Sequence, residues 1–215
     1  EEQSNSRSFE LVYGLTYDDA SRIQKTIPAV DRVVPMRIIR ETVRYERSEQ
    51  PCQVIGTLPE YPLVQGMEVL KGRFLTRTDE RNAHNVCVLT VSLAKKLFGY
   101  RDPLVGSIRV KNTYYQVVGL VQETGTMEQR PQRSNADGET LKNNVYIPLA
   151  TARSRFGETL VRRSQGGFSA EKVELHRIVV RMKNTDFVLL AEPQITSVLQ
   201  KFHEQIDYEL IVPLQ

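Results

Sequence analysis

The most restrictive feature of this chain is the placement of its helical patterns, one near each end, with strand-like patterns between them. Apolar residues recur at helical spacing over 16–27 and again over 195–203. Pro28 ends the first pattern, and Pro193 is tolerable only within the first turn of the second. Because strand-like segments flank each helix, the two ends predict related β-α-β halves around a β-rich middle, and hence an α+β fold.

The middle of the chain predicts strands and one well-marked helix. Alternating apolar residues from Val34 to Tyr45, a polar turn and the run Gln53–Ile55 predict a hairpin. The apolar run 86–89 predicts a buried strand that leads into a helix over 91–98, which Lys95 and Lys96 favour and Gly99 ends with a positive φ. A short helix is expected to end at Phe156 and Gly157. Further strands are expected at 108–110, 114–121, 145–147, 173–182 and 208–212.

Two polar segments and one glycine interrupt these patterns. Residues 122–144 lack periodicity and are long for a loop, which indicates either a disordered or solvated segment or a loop that contacts a partner. Residues 162–169 predict a second flexible stretch. Gly56, followed by Pro59 and Pro62, is expected to mark a crossing between subdomains.

Composition excludes several classes of protein. The 215 residues carry 29 basic and 26 acidic side chains, and a net charge of +3 is too small to indicate nucleic-acid binding. The longest apolar stretches have five residues, such as Val117–Val121, whereas a membrane-spanning helix needs about 20. Because the start lacks both a signal sequence and an initiator methionine, we expect the chain to be a fragment of a longer protein.

Catalytic and metal-binding patterns are not found in the sequence. It has no G-x-S-x-G elbow, phosphate loop or G-x-G-x-x-G motif. Each of His84, His176 and His203 lacks a second ligand at metal-site spacing, so no zinc is expected. We therefore predict no catalytic, cofactor or metal site, and a chain that is not an enzyme.

Two acidic groups are better explained as helix caps than as acid–base pairs. Asp18 and Asp19 follow Thr16 at the start of the first helix, where Thr16 and Asp19 form a capping-box-like pair. Asp79, Glu80 and the nearby His84 lie in a Thr-Asp-Glu string before a strand, which is typical of turns and caps.

The sequence around the cysteines and the arginines of the first hairpin also indicates structural roles for them. Cys52 and Cys87 are most simply two buried small hydrophobic residues, with a disulfide or a metal or redox role as alternatives. Four arginines follow the first hairpin, and the glutamates between them favour a solvated strand face over a phosphate-binding track. These arginines are Arg37, Arg40, Arg44 and Arg47.

The segment 70–121 carries an ordered series of short motifs that resembles the periplasmic core domain of the MacB/FtsX-like family of ABC transporter permeases. Residues 15–19, 33–35, 146–149 and 203–212 extend the resemblance over nearly the whole chain. Compared with the family pattern, the segment 102–106 has one additional residue, and the segment 122–144 is hard to align. The motifs are Gly72-Arg73-Phe74, Thr78-Asp79, Val86-Cys87-Val88-Leu89, Leu97-Phe98-Gly99, Asp102-Pro103, Val105-Gly106, Ile108-Arg109-Val110 and Val117-Val118-Gly119.

The resemblance implies a discontinuous Porter-like β-α-β subdomain of residues 9–56 and 170–215, with a β-rich Sabre-like insert of residues 57–169. It implies the periplasmic domain of an inner-membrane permease, inserted between its first two transmembrane helices, in a dimeric full-length protein. The domain would transmit ATP-driven movement to a periplasmic adaptor or to a peptide or lipoprotein substrate. An ATPase domain or subunit would hydrolyse the nucleotide elsewhere.

Transmission of movement requires rigidity and a hinge, and Gly56 and 162–167 are the expected hinge positions. A ligand-binding or sensor domain outside the cytoplasm is the alternative function. The resemblance specifies neither the substrate nor the adaptor.

Overall fold

The computed structural model describes residues 10–12, 14–122, 143–157, 159–164, 167–184 and 187–203. Its helices are α1 Tyr17–Thr26, α2 Tyr61–Gln65, α3 Arg77–Arg81, α4 Val91–Phe98, α5 Leu149–Phe156 and α6 Phe187–Gln200. Its strands are β1 Glu10–Val12, β2 Val30–Tyr45, β3 Ser48–Thr57, β4 Glu68–Gly72, β5 Val86–Thr90, β6 Ser107–Val110, β7 Thr113–Gln122, β8 Asn144–Pro148, β9 Thr159–Ser164, β10 Gly167–Lys172 and β11 Arg177–Met182. The mixture confirms an α+β fold.

Six of the strands form a closed ring of hydrogen-bonded pairs. β2 pairs with β3, β3 with β8, β8 with β5, β5 with β7, β7 with β6, and β6 returns to the far end of β2. β11 extends the sheet from the first half of β2, and β4 extends it from the second half of β7. The β-rich middle is therefore a small barrel with two strands added outside it.

One large cluster of buried side chains takes residues from all six barrel strands and from α4 and α5. On α4, Leu93, Ala94, Leu97 and Phe98 are buried, which confirms the predicted apolar face of this helix. Gly99 follows α4 with a φ of 61°, a conformation that favours glycine and ends the helix there.

The helices α1 and α6 pack together at the other end of β2. Their shared cluster includes Ile23, Ile195 and Leu199, with Val30 from the start of β2. We call this region the helix end. The opposite region, where the β2–β3 turn at Glu46 and Arg47 meets the end of α4, is called the hairpin end. β2 has 16 residues and connects the two ends, a span of roughly 50 Å at about 3.3 Å per residue.

Gly56 lies within a paired strand and not in a turn. It is within β3, paired with Arg37 on one side and Ile147 on the other. A Cβ atom at this position would collide with the Cβ of Ala152, so glycine allows α5 to pack closely against the sheet. The prediction that this glycine supplies turn or hinge freedom is therefore not supported.

Two other predictions are corrected near the end of the chain. Residues 162–169, expected to be flexible, belong largely to β9 and β10, which pair antiparallel from Gly167 with Ser164 to Lys172 with Thr159. β10 also pairs with β1 in parallel, giving a separate three-stranded sheet. The strand predicted from Val173 begins at Arg177, after an isolated bridge between Leu15 and Leu175.

The last helix begins eight residues earlier than its apolar pattern predicts, so Pro193 lies inside α6 and not in its first turn. Ile195 and Leu199 are buried as expected, whereas Phe202 follows the helix and is 52% exposed. The predicted strand at 208–212 and the interior of the 122–144 segment lie outside the described residues.

Candidate functional site

Asp79 is the centre of a polar cluster at the start of α3, formed by Arg73, Thr76, Asp79 and His84 (the Asp79 cluster). The Thr76 backbone N–H and hydroxyl donate to the Asp79 carboxylate at 2.9 and 2.7 Å, and the Asp79 N–H donates to the Thr76 hydroxyl at 3.2 Å. Arg73 donates to the same carboxylate at 2.6 Å, and His84 Nδ1 lies 3.2 Å from it. The carboxylate is buried and fully occupied as an acceptor.

These bonds determine the charge state of Asp79. Burial alone would raise the pKa of the Asp79 carboxyl, but hydrogen bonds from Arg73, Thr76 and His84 outweigh burial and hold the pKa far below its usual range. Asp79 is therefore a permanent anion near neutral pH, which suits an anchor for its neighbours and not a proton donor.

Glu80, although adjacent in sequence, serves a different helix. One of its carboxylate oxygens accepts a hydrogen bond from the Ala150 N–H at 2.9 Å, so Glu80 caps the start of α5. Burial raises the pKa of Glu80, the amides of Ala150 and Leu149 oppose this, and the charge of Glu60 adds to it. Asp79 and Glu80 therefore face different partners and do not form an acid–base pair.

A second cluster of the same composition lies at the start of α1 and consists of Thr16, Asp19, Arg22 and His203 (the Asp19 cluster). The bonds between Thr16 and Asp19 again measure 2.9, 2.7 and 3.2 Å. Arg22 donates to Asp19 at 3.2 Å, and His203 Nε2 lies 2.9 Å from the Asp19 carboxylate. The predicted cap is confirmed, and Asp18, whose side chain is 81% exposed, is not its partner.

The two clusters share a short sequence motif that is not among the known catalytic motifs. Leu-Thr-x-x-Asp occurs at 15–19 and again at 75–79. The spacing of threonine and aspartate predicts each capping box, but it gives no indication that a histidine joins each aspartate. His203 is 184 residues from Asp19, so only the folded chain brings these two residues together.

The histidines thus have protein partners. His84 and His203 contact the two capped aspartates, and the His176 Nδ1 accepts a hydrogen bond from the Ile38 N–H at 3.3 Å. Within the described residues, no group of three or more histidine, cysteine or acidic side chains is placed to hold a metal ion.

The arginines of the first hairpin do not share one environment. Arg37 is only 2% exposed, so the expectation of a solvated arginine is wrong at this position. Arg40, Arg44 and Arg47 are exposed, and Arg44 pairs with Glu49 at 2.9 Å. Arg37 lies within β2, where it pairs with Gly56 of β3 next to the residues that pair with β11, so its place in the sheet and not its residue type determines its burial.

Both cysteines are buried free thiols in the barrel core. Burial raises the pKa of the Cys52 thiol to about 12 and raises that of Cys87 still further. The two side chains therefore remain protonated and unreactive near neutral pH, in agreement with their interpretation as small core residues.

Two shallow grooves lie on the surface of the described residues. One, of about 380 Å³, lies between the end of α1 and α6, and the other, of about 330 Å³, lies at the hairpin end beside α4. The first contains no charged residue, and the second is lined by Glu46, Arg47, Lys96 and Arg101. Among the described helices, each is too short or too polar to cross a membrane.

The model of the MacB-like periplasmic core domain family matches residues 2–198, nearly the whole chain. The chain belongs to this family. This MacB-like domain is accordingly the periplasmic part of an ABC transporter permease, and the resemblance drawn from the motifs between Gly72 and Gly119 is confirmed.

Curated relatives of this MacB-like domain are export permeases. The pyoverdine export ATP-binding/permease protein PvdT of Pseudomonas aeruginosa is 27% identical over 194 residues, which cover 90% of this chain and 26% of that protein. The macrolide export ATP-binding/permease protein MacB of Bdellovibrio bacteriovorus is 25% identical over 148 residues, which cover 68% of this chain and 21% of that protein. The chain thus spans about a quarter of these relatives.

Solved structures show the same fold. The periplasmic region of MacB from Actinobacillus actinomycetemcomitans superposes with a TM-score of 0.67 at 21% identity and covers 91% of this chain and 78% of that one. The extracellular domain of the transporter YknZ from Gram-positive bacteria gives 0.64 at 19% identity, covering 87% and 83%. At these identities the likeness establishes the MacB-like architecture and not the partners.

Proposed function

We propose that this MacB-like domain transmits ATP-driven movement of an export permease to a periplasmic partner or substrate and has no catalytic role of its own. The observation that carries the proposal is that the first and last described helices meet. Asp19 of α1 lies 2.9 Å from His203, which follows α6. A domain inserted between two membrane helices must have both of its connections on the membrane side, and the contact between α1 and α6 at one end of the sheet supports such an insertion.

The sheet supports transmission over a distance. β2 begins beside α1 and α6 at the helix end, pairs with β3 from Arg37 to Tyr45, and closes the barrel through β6 at Val43 and Arg44. Movement of the helix end is therefore passed to the hairpin end through a continuous hydrogen-bonded sheet. Rigid-body movement of this kind needs no flexible loop within the domain.

The division into 9–56 with 170–215 and 57–169 remains a proposal. β3 and β8 lie on opposite sides of this boundary and pair in parallel over five residues, from Gln53 with Asn144 to Thr57 with Pro148. Because Gly56 is packed within a strand and 162–164 are paired, we favour transmission by the whole domain over a hinge at these positions.

Other components of the transporter follow from the relatives. PvdT and MacB are named ATP-binding/permease proteins, so we propose that ATP is hydrolysed by a separate part of this transporter. Since the names of these relatives specify different exported compounds, we propose export without assigning its cargo. A periplasmic adaptor, or a peptide or lipoprotein, would contact the domain.

The hairpin end offers the surface for that contact. Tyr100 is fully exposed and Val105 is 86% exposed, and both follow α4. Arg101, between them, bonds Glu46 of the β2–β3 turn at 2.6 Å, which places the segment at the hairpin end. We base the proposed contact site on the exposure of these two apolar side chains, which a protein partner would bury.

The test is made in the complete permease with Tyr100→Asp and Val105→Asp. We expect normal folding and basal ATPase activity but loss of export, since the fault would lie in coupling to the partner. Leu190→Asp, at an apolar position on α6 that is 63% exposed, is the matched control and should export normally. Normal export by the Tyr100 and Val105 variants would contradict the contact site, and ATP turnover by the isolated chain would contradict the lack of catalysis.

A further inference from the structure

The helices α1 and α6 lie next to each other at two places along their length. Near the end of α1, Thr26 and Ile27 line one groove together with Pro193 and Ser197 of α6. Near the start of α1, Asp19 reaches His203, which follows the end of α6. The two helices are therefore antiparallel, with an apolar cluster between them and a polar contact at one end.

The polar contact is well shielded from water. The side chains of His203 and Asp19 are 10% and 1% exposed, in contrast to 47% for His84 at the equivalent contact with Asp79. Beside this contact the guanidinium of Arg22 lies 4.0 Å from the centre of the Phe202 ring, a cation–π contact. Two consecutive residues after α6 are thus bound to two residues of α1.

Asp19 has orienting partners other than His203. Its carboxylate is oriented by the backbone and hydroxyl of Thr16 and by Arg22. An acceptor that is already oriented costs little additional conformational entropy when a distant donor binds it. His203 itself is held by a hydrogen bond from its backbone N–H to the Leu199 carbonyl at 3.0 Å, which continues the last turn of α6.

We propose that the Asp19–His203 contact fastens the segment after α6 to the start of α1, so that α1 and α6 move as one body. In the proposed function this contact would make the two connections of the domain to the membrane move together. The role in export rests on that function, whereas the fastening itself is a property of this chain and is tested without it.

The fastening is measured by hydrogen exchange of the amides in α6. For His203→Ala we expect exchange in the last turns of α6 to rise roughly tenfold or more, since a buried hydrogen bond to a charged group is lost. His203→Gln, whose side-chain amide can donate to Asp19, should restore part of the protection. Asp19→Asn, which keeps an oxygen acceptor for Thr16, should accelerate exchange in α6 more than in α1.

His84→Ala is the matched control, because it removes a histidine from the other capped aspartate without touching α6. Exchange in α6 should then stay within about twofold of the unmodified chain, as for a surface change. Unchanged exchange in His203→Ala, or an equal rise in His84→Ala, would overturn the fastening.

The consequence for export is tested with cysteines at positions 19 and 203 of the complete permease. Before linking, we expect this variant to export less than the unmodified permease, because it lacks the Asp19–His203 contact. Joining the two cysteines with a short bifunctional thiol crosslinker should restore export at least in part, because the link replaces the contact. A further loss of export on crosslinking would show that the two segments must separate and would overturn the role in export. The hydrogen-exchange result would stand independently, so failure of the proposed function and failure of the fastening are distinguishable.

Discussion

The Asp19 and Asp79 clusters have the same short motif and nearly the same hydrogen bonds, yet they stabilise different parts of the fold. In both, a threonine and an aspartate three residues later form a capping box with matching distances. At Asp79 the histidine comes from five residues away and is half exposed, whereas at Asp19 it comes from the other end of the chain and is buried.

This difference shows what a local motif determines and what it does not. Leu-Thr-x-x-Asp determines the start of a helix and an oriented carboxylate, because its bonds are made within five residues. The tertiary fold determines whether the carboxylate accepts a further hydrogen bond from a nearby loop or from a distant segment. At Asp79 this further bond orders the turn after α3, and at Asp19 it joins α1 to the segment after α6.

The largest effect is expected from removing the carboxylates themselves. Asp19→Ala and Asp79→Ala should each lower the free energy of unfolding by about 2–4 kcal/mol, because each loses a cap and several charge-assisted bonds. Asp19→Ala should cost more, since its histidine partner is less exposed and less able to bond water. Chemical denaturation of both variants and of the exposed-site control Asp18→Ala measures this. A larger loss for Asp79→Ala would contradict the comparison.

Acid should weaken both clusters. The hydrogen bonds of Thr16 and His203 outweigh burial and lower the pKa of Asp19, and those of Arg73, Thr76 and His84 lower that of Asp79. A carboxyl with a folded pKa below its unfolded value, near 3.9, stabilises the fold above that value and loses this contribution as the pH falls. Stability should therefore fall from about pH 4 downward.

Asp19→Asn and Asp79→Asn provide the control for this acid effect. Each variant should start less stable at pH 7 and lose less stability on acidification, since one of the two titrating groups is gone. Unfolding measured in denaturant between pH 7 and pH 2 follows both. If either variant were as acid-sensitive as the unmodified chain, the substituted aspartate would not be a source of the acid effect.

Much of the fold was predictable where local signals were strong. The capping pair of Thr16 and Asp19 predicted α1, and the apolar face with Gly99 predicted α4, because these signals act within one or two turns. The hairpin of β2 and β3 followed from alternation alone. The family resemblance predicted a MacB-like α+β fold, and the solved structures confirm that fold.

The failures occurred where tertiary contacts outweigh local composition. Residues 162–169 contain polar residues and two glycines and so predicted flexibility, yet β1 and β9 supply hydrogen-bond partners for β10. Arg37 was expected to be solvated, but it lies within the paired region of β2 and is buried. The fastening role of His203 could not be predicted, because no local pattern indicates a partner 184 residues away.

The histidines provide the next largest contrast. His203→Ala should lower the free energy of unfolding by about 1–3 kcal/mol, because a buried hydrogen bond to a charged group is removed. His84→Ala should cost less than about 1 kcal/mol, since water can replace a half-exposed side chain. Thermal unfolding of both variants at pH 7 checks this ranking, and equal melting temperatures would show that burial of the histidine is not what distinguishes the clusters.

The smallest effect, and the one that should not distinguish the clusters, is expected at the threonines. Thr16→Ala and Thr76→Ala each remove the hydroxyl that accepts from an aspartate N–H at 3.2 Å and donates to its carboxylate at 2.7 Å. Loss of such a cap costs about 1 kcal/mol. Because these bonds have the same lengths in both clusters, the two losses in unfolding free energy should agree within about 0.5 kcal/mol. Thr16→Ser and Thr76→Ser retain the hydroxyl and should recover most of each loss. Clearly unequal losses would mean that the capping boxes differ in strength, and the contrast between the clusters could then not be assigned to the histidines.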